Sequence, residues 1–279
     1  GSWVLYRADE TTAGVIELYA ADAGGGSNVK LNGPLASGGS VTAFRDLEWN
    51  GQRYAVYRAD QATAGVFELF AVSIREGGPS QKVSGSLVAG GDVSTDFQVA
   101  GSSVFYMADA EVDGRVELYT TNLATPNTRV KLSGRMVAGG SVDNFQISPD
   151  GTRAVYLADQ LVNEQFELFS APAAGGTAVR LSSPLPTGKD VWGFKLSPNS
   201  SRVVYTANTT LEGTELYSVP IAGGTVTEIV DFGPLTPDVS IGTYQISPDS
   251  SFVAYIIFDF TFFRRTLHRV PIAGGTHIF

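Results

Sequence analysis

The 279-residue chain contains no cysteine, which excludes disulfides and thiolate metal sites. Histidine is nearly absent. His268 and His277 are the two present, and no Gly-x-Ser-x-Gly elbow accompanies them, so a nucleophilic triad lacks its parts. Two imidazoles near one end of the chain also fall short of a histidine metal centre. No run reaches the roughly 18 apolar residues of a membrane helix, and no signal-peptide pattern opens the chain. Charge is sparse, at 17% of residues, and one-sided, with a formal net charge of −9. An acidic chain lacks the basic surface that nucleic acid requires, and anionic membranes disfavour it for the same reason. Missing too is any segment that sustains a helical apolar period.

Hydrophobic residues make up 43% of the chain and aromatics 11%, enough for a packed interior. The 32 glycines suit many tight turns. From Phe145 to Asp190 four short apolar runs alternate with turn residues: Phe145–Ile147, then Ala154–Leu157, Phe166–Phe169 and Val179–Leu181. Such runs, rich in Val, Phe, Tyr and Leu, read as strands A to D of one antiparallel sheet.

That unit recurs. Its strand-B tyrosine appears as Tyr6, Tyr57, Tyr106, Tyr156, Tyr205 and Tyr255, at spacings of 51, 49, 50, 49 and 50. Strand C gives Glu-Leu-Tyr or Glu-Leu-Phe at Glu17, Glu68, Glu117, Glu167 and Glu215. A period near 50 with four strands each predicts an all-β, six-bladed β-propeller of four-stranded antiparallel blades; a linear solenoid is the rival. The whole chain, 1–279, reads as one propeller domain, with blades near 1–40, 41–90, 91–140, 141–189, 190–239 and 240–279. The first blade starts at strand B and lacks its inner strand within this chain, and the sixth ends inside strand D at 276–279. Equal blades predict closure, with Tyr6–Asp9 beside the sixth blade.

The turn Ser148-Pro149-Asp150-Gly151, with Ser247-Pro248-Asp249 and Ser197-Pro198-Asn199, is followed by Val-x-Tyr-x-Ala-Asp, Glu-Leu-Tyr/Phe and Gly-Gly-Thr. Together these resemble the TolB-type, WD-like propeller repeat of bacterial exported proteins. The turn is lost at Glu48–Gly51 and at Val99–Gly101. The resemblance implies a periplasmic, secreted or cell-surface setting. It also implies a docking platform, an assembly factor or a gating domain of a peptidase, whose catalytic machinery sits in a separate domain. The reading is therefore a non-catalytic scaffold for a protein partner or a neighbouring domain of the same parent. The alternatives are a regulatory propeller of a multidomain hydrolase and a structural repeat segment of a large surface protein.

Three sets of residues are candidates for a site. Asp109, Glu111, Asp113 and Glu117 alternate through one B–C loop around Gly114, and alternate carboxylates of a tight loop can converge on calcium. Their structural alternative is that each strand-B Asp caps its own turn, with each strand-C Glu on a solvated edge. Arg45, Asp46, Asp96, Asp143, Asn144 and Trp192, with Lys195, fall on strand A at the expected channel mouth, a place for a small ligand. Finally Phe258, Phe260, Phe262 and Phe263, with Arg264 and Arg265, replace the small polar B–C loop of the other blades. Alternation would set Phe258, Phe260 and Phe262 on one side of an extended strand. Clustered rings beside arginine are the composition of interface hot spots.

Overall fold

The computed structural model describes residues 3–26, 28–209, 214–230 and 239–276. Among them every regular element is a strand, and the strands form six antiparallel sheets. The chain divides into two compact units. The first, Gly1–Lys131, holds three sheets. These are β1 (Trp3–Ala8), β2 (Glu17–Asp22) and β3 (Asn28–Lys30); then β4 (Val41–Trp49), β5 (Gln52–Thr63), β6 (Val66–Ser73) and β7 (Gly77–Lys82); then β8 (Val93–Ala100), β9 (Ser103–Ala108), β10 (Glu117–Asn122) and β11 (Thr125–Lys131).

The second unit, Leu132–Phe279, holds three more. They are β12 (Val142–Ile147), β13 (Arg153–Ala158), β14 (Glu167–Pro172) and β15 (Val179–Arg180); then β16 (Val191–Leu196), β17 (Arg202–Ala207), β18 (Glu215–Pro220) and β19 (Thr227–Val230); then β20 (Val239–Ile246), β21 (Phe252–Asp259) and β22 (Arg264–Pro271). Strands pair in sequence order within each sheet. The first and sixth sheets have three strands among the described residues. His277 and the end of the expected last strand lie outside the described residues.

One aromatic stack fixes the register of every sheet. Tyr6 lies on Tyr19, Tyr57 on Phe70, Tyr106 on Tyr119, Tyr156 on Phe169, Tyr205 on Tyr217 and Tyr255 on His268, all between 5.2 and 5.8 Å. Each is a directly opposed cross-strand pair, the contact that stabilises sheets most locally. Slipping a strand by one residue would turn its ring to the other face. His268 is buried and takes the place of the strand-C ring.

The Ser-Pro-Asp turn has a physical basis in the second unit. Ser148 Oγ donates to Asp150 at 2.6 Å and accepts the Arg153 N–H at 3.0 Å; Ser197 and Ser247 do the same toward Asn199 and Asp249. The Asp150 N–H reaches Ser200 Oγ in the next sheet at 3.0 Å, and Asn199 N–H reaches Ser250 at 3.1 Å. The turn thus ties each sheet to its successor.

Packing between successive sheets follows one rule. The strand-C leucine of one sheet enters the core of the next. Leu18 packs with Val41, Ala55 and Tyr57, Leu69 with Val93 and Phe97, Leu168 with Val191 and Phe194, and Leu216 with Tyr244 and Val253. All four are 0% exposed. The end sheets break the rule. Leu267, at the same register position, is 68% exposed. Val4 of β1 is 53% exposed where Ala55, Val104, Ala154, Val203 and Val253 are at 0%.

Candidate interaction surface

Strand-B aspartates act as clasps. Asp60 Oδ2 accepts the Gly65 N–H at 3.1 Å while Oδ1 accepts the Ser40 N–H at 2.7 Å. Asp159 does likewise with Glu164 and Ser141, and Asp109 with Gly114 and Asp92. Each carboxylate so locks its B–C loop to the start of strand A. The turn-capping alternative holds for these aspartates.

The strand-C glutamates correct the sequence reading. They are not on solvated edges: Glu17, Glu68, Glu117, Glu167 and Glu215 are all under 6% exposed. Four meet a base from strand D, namely Lys30, Lys82, Lys131 and Arg180. The signal was present as a Lys or Arg 13 or 14 residues after each of those four glutamates. Burial alone would raise the Glu17 carboxyl, but hydrogen bonds from Thr11, Lys30 and Tyr19 overcome it and hold it below the usual range. At Glu167 burial prevails over Arg180 and the carboxyl is raised.

The expected calcium loop is likewise rearranged. Glu111 and Glu117 converge on Lys131 Nζ, at 2.7 and 3.2 Å, so an ammonium stands where a cation was expected. Both oxygens of Asp109 are occupied by backbone N–H groups, and Asp113 lies against Gly90. Among the described residues no group of three or more His, Asp or Glu is placed to hold a metal ion.

At the expected mouth, a β-bulge interrupts strand A at matching places, between Val41 and Ala43, Val142 and Asn144, Val191 and Gly193, and Ile241 and Thr243. A bulge leaves one residue unpaired and re-aims it. Asp143 and Trp192 are such residues, and Trp192 is 63% exposed. Asn144 is exposed beside Asp143. In the first unit Arg45 lies 4.0 Å from Asp96 and over the Phe97 ring, whereas Asp46 pairs with Arg53. Lys195 donates to Tyr244 O at 2.8 Å. Arg45 and Asp96 thus meet each other, while Asp46 and Lys195 serve other partners.

The sixth sheet carries exposed aromatic side chains at its hairpin. Its hairpin differs from the extended alternation expected: β21 ends at Asp259, and Phe260–Phe263 form a four-residue turn. Asp259 accepts the Phe262 N–H at 3.0 Å and faces Arg264 at 3.5 Å, which closes the turn too tightly for a straight strand. Phe263 sits at φ 50°, a left-handed conformation uncommon for a bulky side chain. Phe260, Phe262 and Phe263 are 49%, 68% and 83% exposed, and Phe258 is half-buried with its ring edge-on to Phe260 at 4.4 Å. Arg264 lies over Phe262 and Arg265 over Phe258.

Below the tip the outer face continues. Alternation along the paired strands puts Phe252, Ile256 and Phe258 of β21 on one side with Arg265, Leu267 and Arg269 of β22. A groove of about 380 Å³ is lined there by Ser240, Gly242, Thr243, Ile256, Phe258 and Arg265. Sequence reasoning found the tip but missed Leu267, which reads like its buried counterparts in the other repeats.

No protein-family model and no curated protein matches the chain. Solved structures do. A eukaryotic initiation factor is similar over 99% of this chain and 61% of its own, at 12% identity and a TM-score of 0.59. A prolyl endopeptidase is similar over 99% of this chain and 41% of its own, at 12% identity and a TM-score of 0.57. TolB from Acinetobacter baumannii is similar over 97% of this chain and 60% of its own, at 15% identity and a TM-score of 0.40. The chain thus spans less than two thirds of each of these proteins. At such identities the likeness to the first two carries the fold alone, and one fold serves unrelated functions. No described helix is long and apolar enough to cross a membrane.

Proposed function

We propose that the chain is a non-catalytic binding scaffold that engages a protein partner through the outer face and hairpin tip of its sixth sheet. The observation that carries this reading is the hairpin tip, where Phe260, Phe262 and Phe263 are 49%, 68% and 83% exposed and Arg264 lies over the Phe262 ring. Soluble proteins rarely leave such a patch bare. Burying three rings contributes roughly 4–9 kcal/mol, at about 1.5–3 kcal/mol each. Association itself costs on the order of 4–15 kcal/mol. The tip alone is therefore marginal, and a stable complex needs the outer face as well. The repeat's resemblance to exported propellers supports a periplasmic, secreted or cell-surface setting.

A photo-crosslinking residue at Phe262 tests this in the native host, with Leu161 as control, since Leu161 is exposed in the corresponding loop of the fourth sheet. A discrete adduct is expected at position 262 alone, and it should disappear when Phe263→Ser and Leu267→Ser are added. The same adducts at both positions would refute the reading. A second reading, a gating propeller of a larger hydrolase, draws support from the prolyl endopeptidase likeness. A reading frame that runs on into a Gly-x-Ser-x-Gly domain would favour it.

A further inference from the structure

Asparagine followed by glycine occurs at Asn32-Gly33 and at Asn50-Gly51, and the fold treats the two steps in opposite ways. Glycine matters here because it has no Cβ, so its backbone nitrogen can reach the side-chain carbon of the residue before it. Asparagine is also among the thermolabile residues.

At the first step every reacting group is held. Asn32 is buried. Its Oδ1 accepts the Leu18 N–H at 2.8 Å, and its Nδ2 donates to Gly33 O at 2.9 Å. The Gly33 nitrogen, which would have to attack, donates to the Tyr57 hydroxyl at 3.3 Å. Gln61 and Ser80 crowd Gly33 so closely that an added Cβ would lie 3.0 Å from each.

The second step is the two-residue turn that joins β4 to β5 beyond the Trp49–Gln52 pair. Asn50 and Gly51 sit at φ 52° and 71°, the left-handed values of a type I′ hairpin turn, for which Asn-Gly is a preferred sequence. The turn thus selects the pair for its backbone and brings its chemistry along. Both residues are exposed, and a Cβ on Gly51 would meet no atom within 4 Å.

We propose that Asn50 is a modification site of the folded chain, where an internal reaction converts the side-chain amide to a carboxylate. The Gly51 nitrogen bonds to Asn50 Cγ and the Cγ–Nδ2 bond breaks. The Nδ2 nitrogen leaves as ammonia, taking the proton that the glycine nitrogen gives up. Water then opens the resulting ring at one of its two carbonyls. Opening at Cγ gives an ordinary aspartate, and opening at the backbone carbonyl gives a β-linked one, with the chain routed through the side chain. Only water is consumed. The β-linked product adds a backbone atom to a turn whose length sets the β4–β5 register. Both products place a new negative charge beside Glu48 in an already acidic chain.

The test incubates the full chain at mildly alkaline pH, folded and in urea, because loss of the glycine N–H proton makes its nitrogen the nucleophile. Peptide mass spectrometry follows the amide-to-carboxylate mass gain at each step. An isoaspartyl methyltransferase with labelled S-adenosylmethionine counts the β-linked sites. In the folded chain position 50 should convert, and position 32 at least about tenfold more slowly, since its hydrogen bonds must break first. In urea the two rates should converge, as neither setting survives unfolding. Asn50→Gln should remove the methyl-accepting site from the folded chain, because glutamine would have to close a larger ring. Equal conversion at 32 and 50 in the folded chain, no conversion at 50, or methyl acceptance that survives Asn50→Gln would overturn the proposal.

Discussion

Two truncations of the same residue type, Leu168→Ala and Leu267→Ala, should give very different results. Leu168 is 0% exposed and packs against Val191, Phe194, Val203 and Tyr205 of the next sheet. Removing its side chain opens a cavity among those residues, with an expected cost of about 2–5 kcal/mol. Leu267 is 68% exposed, so about a third of its side chain is covered. Since full burial contributes roughly 1.5–3 kcal/mol, the loss there is about 0.5–1 kcal/mol. At roughly 2–4 °C per kcal/mol, Leu168→Ala should lower the melting temperature by about 4–20 °C and Leu267→Ala by about 1–4 °C. Stacked sheets open locally as well as globally, so amide hydrogen exchange in β14 and β22 should accompany the melting curves. Leu168→Ala should speed exchange on both sides of its sheet contact, and Leu267→Ala should leave β21 unchanged. Equal shifts for the two variants would show Leu267 packed in solution.

Lys131→Met should destabilise the chain by roughly 1–3 kcal/mol in urea unfolding, because it leaves the buried Glu117 without its charged partner. Calcium should leave the melting temperature of the unaltered chain where it was, since Lys131 already answers Glu111 and Glu117. Burial pushes the Tyr57 and Tyr205 phenols up to about 12. An unfolded phenol ionises near its ordinary value of about 10, so the stability these groups contribute is complete below pH 10 and is lost as pH rises toward 12. Phenolate absorbance should accordingly lag in the folded chain and then rise with cooperative unfolding. Phe263→Gly should raise the melting temperature slightly, since glycine adopts φ 50° without strain. If partner binding weakens in the same variant, the strained phenylalanine is retained for contact rather than for the fold.

Sequence alone determined the repeat. The tyrosines at a period near 50 and the turn residues between short apolar runs fixed strand order, antiparallel pairing and sheet count, because these depend on local chemistry and alternation. The exposed phenylalanine hairpin was legible for the same reason: it departs from five copies of one pattern. Burial of the Glu-Leu-Tyr glutamates was not legible. A carboxylate at a strand start reads as solvated until the basic residue opposite it, 13 or 14 positions later, is brought across by the sheet. The Lys131 contact with Glu111 and Glu117 was hidden for the same reason, since alternate carboxylates in one loop say nothing of a lysine arriving from the next strand. Nor could sequence separate Leu267 from Leu168. Both sit second in the same strand-C triplet, and only the packing around each, which is long-range, decides whether that leucine is buried or exposed.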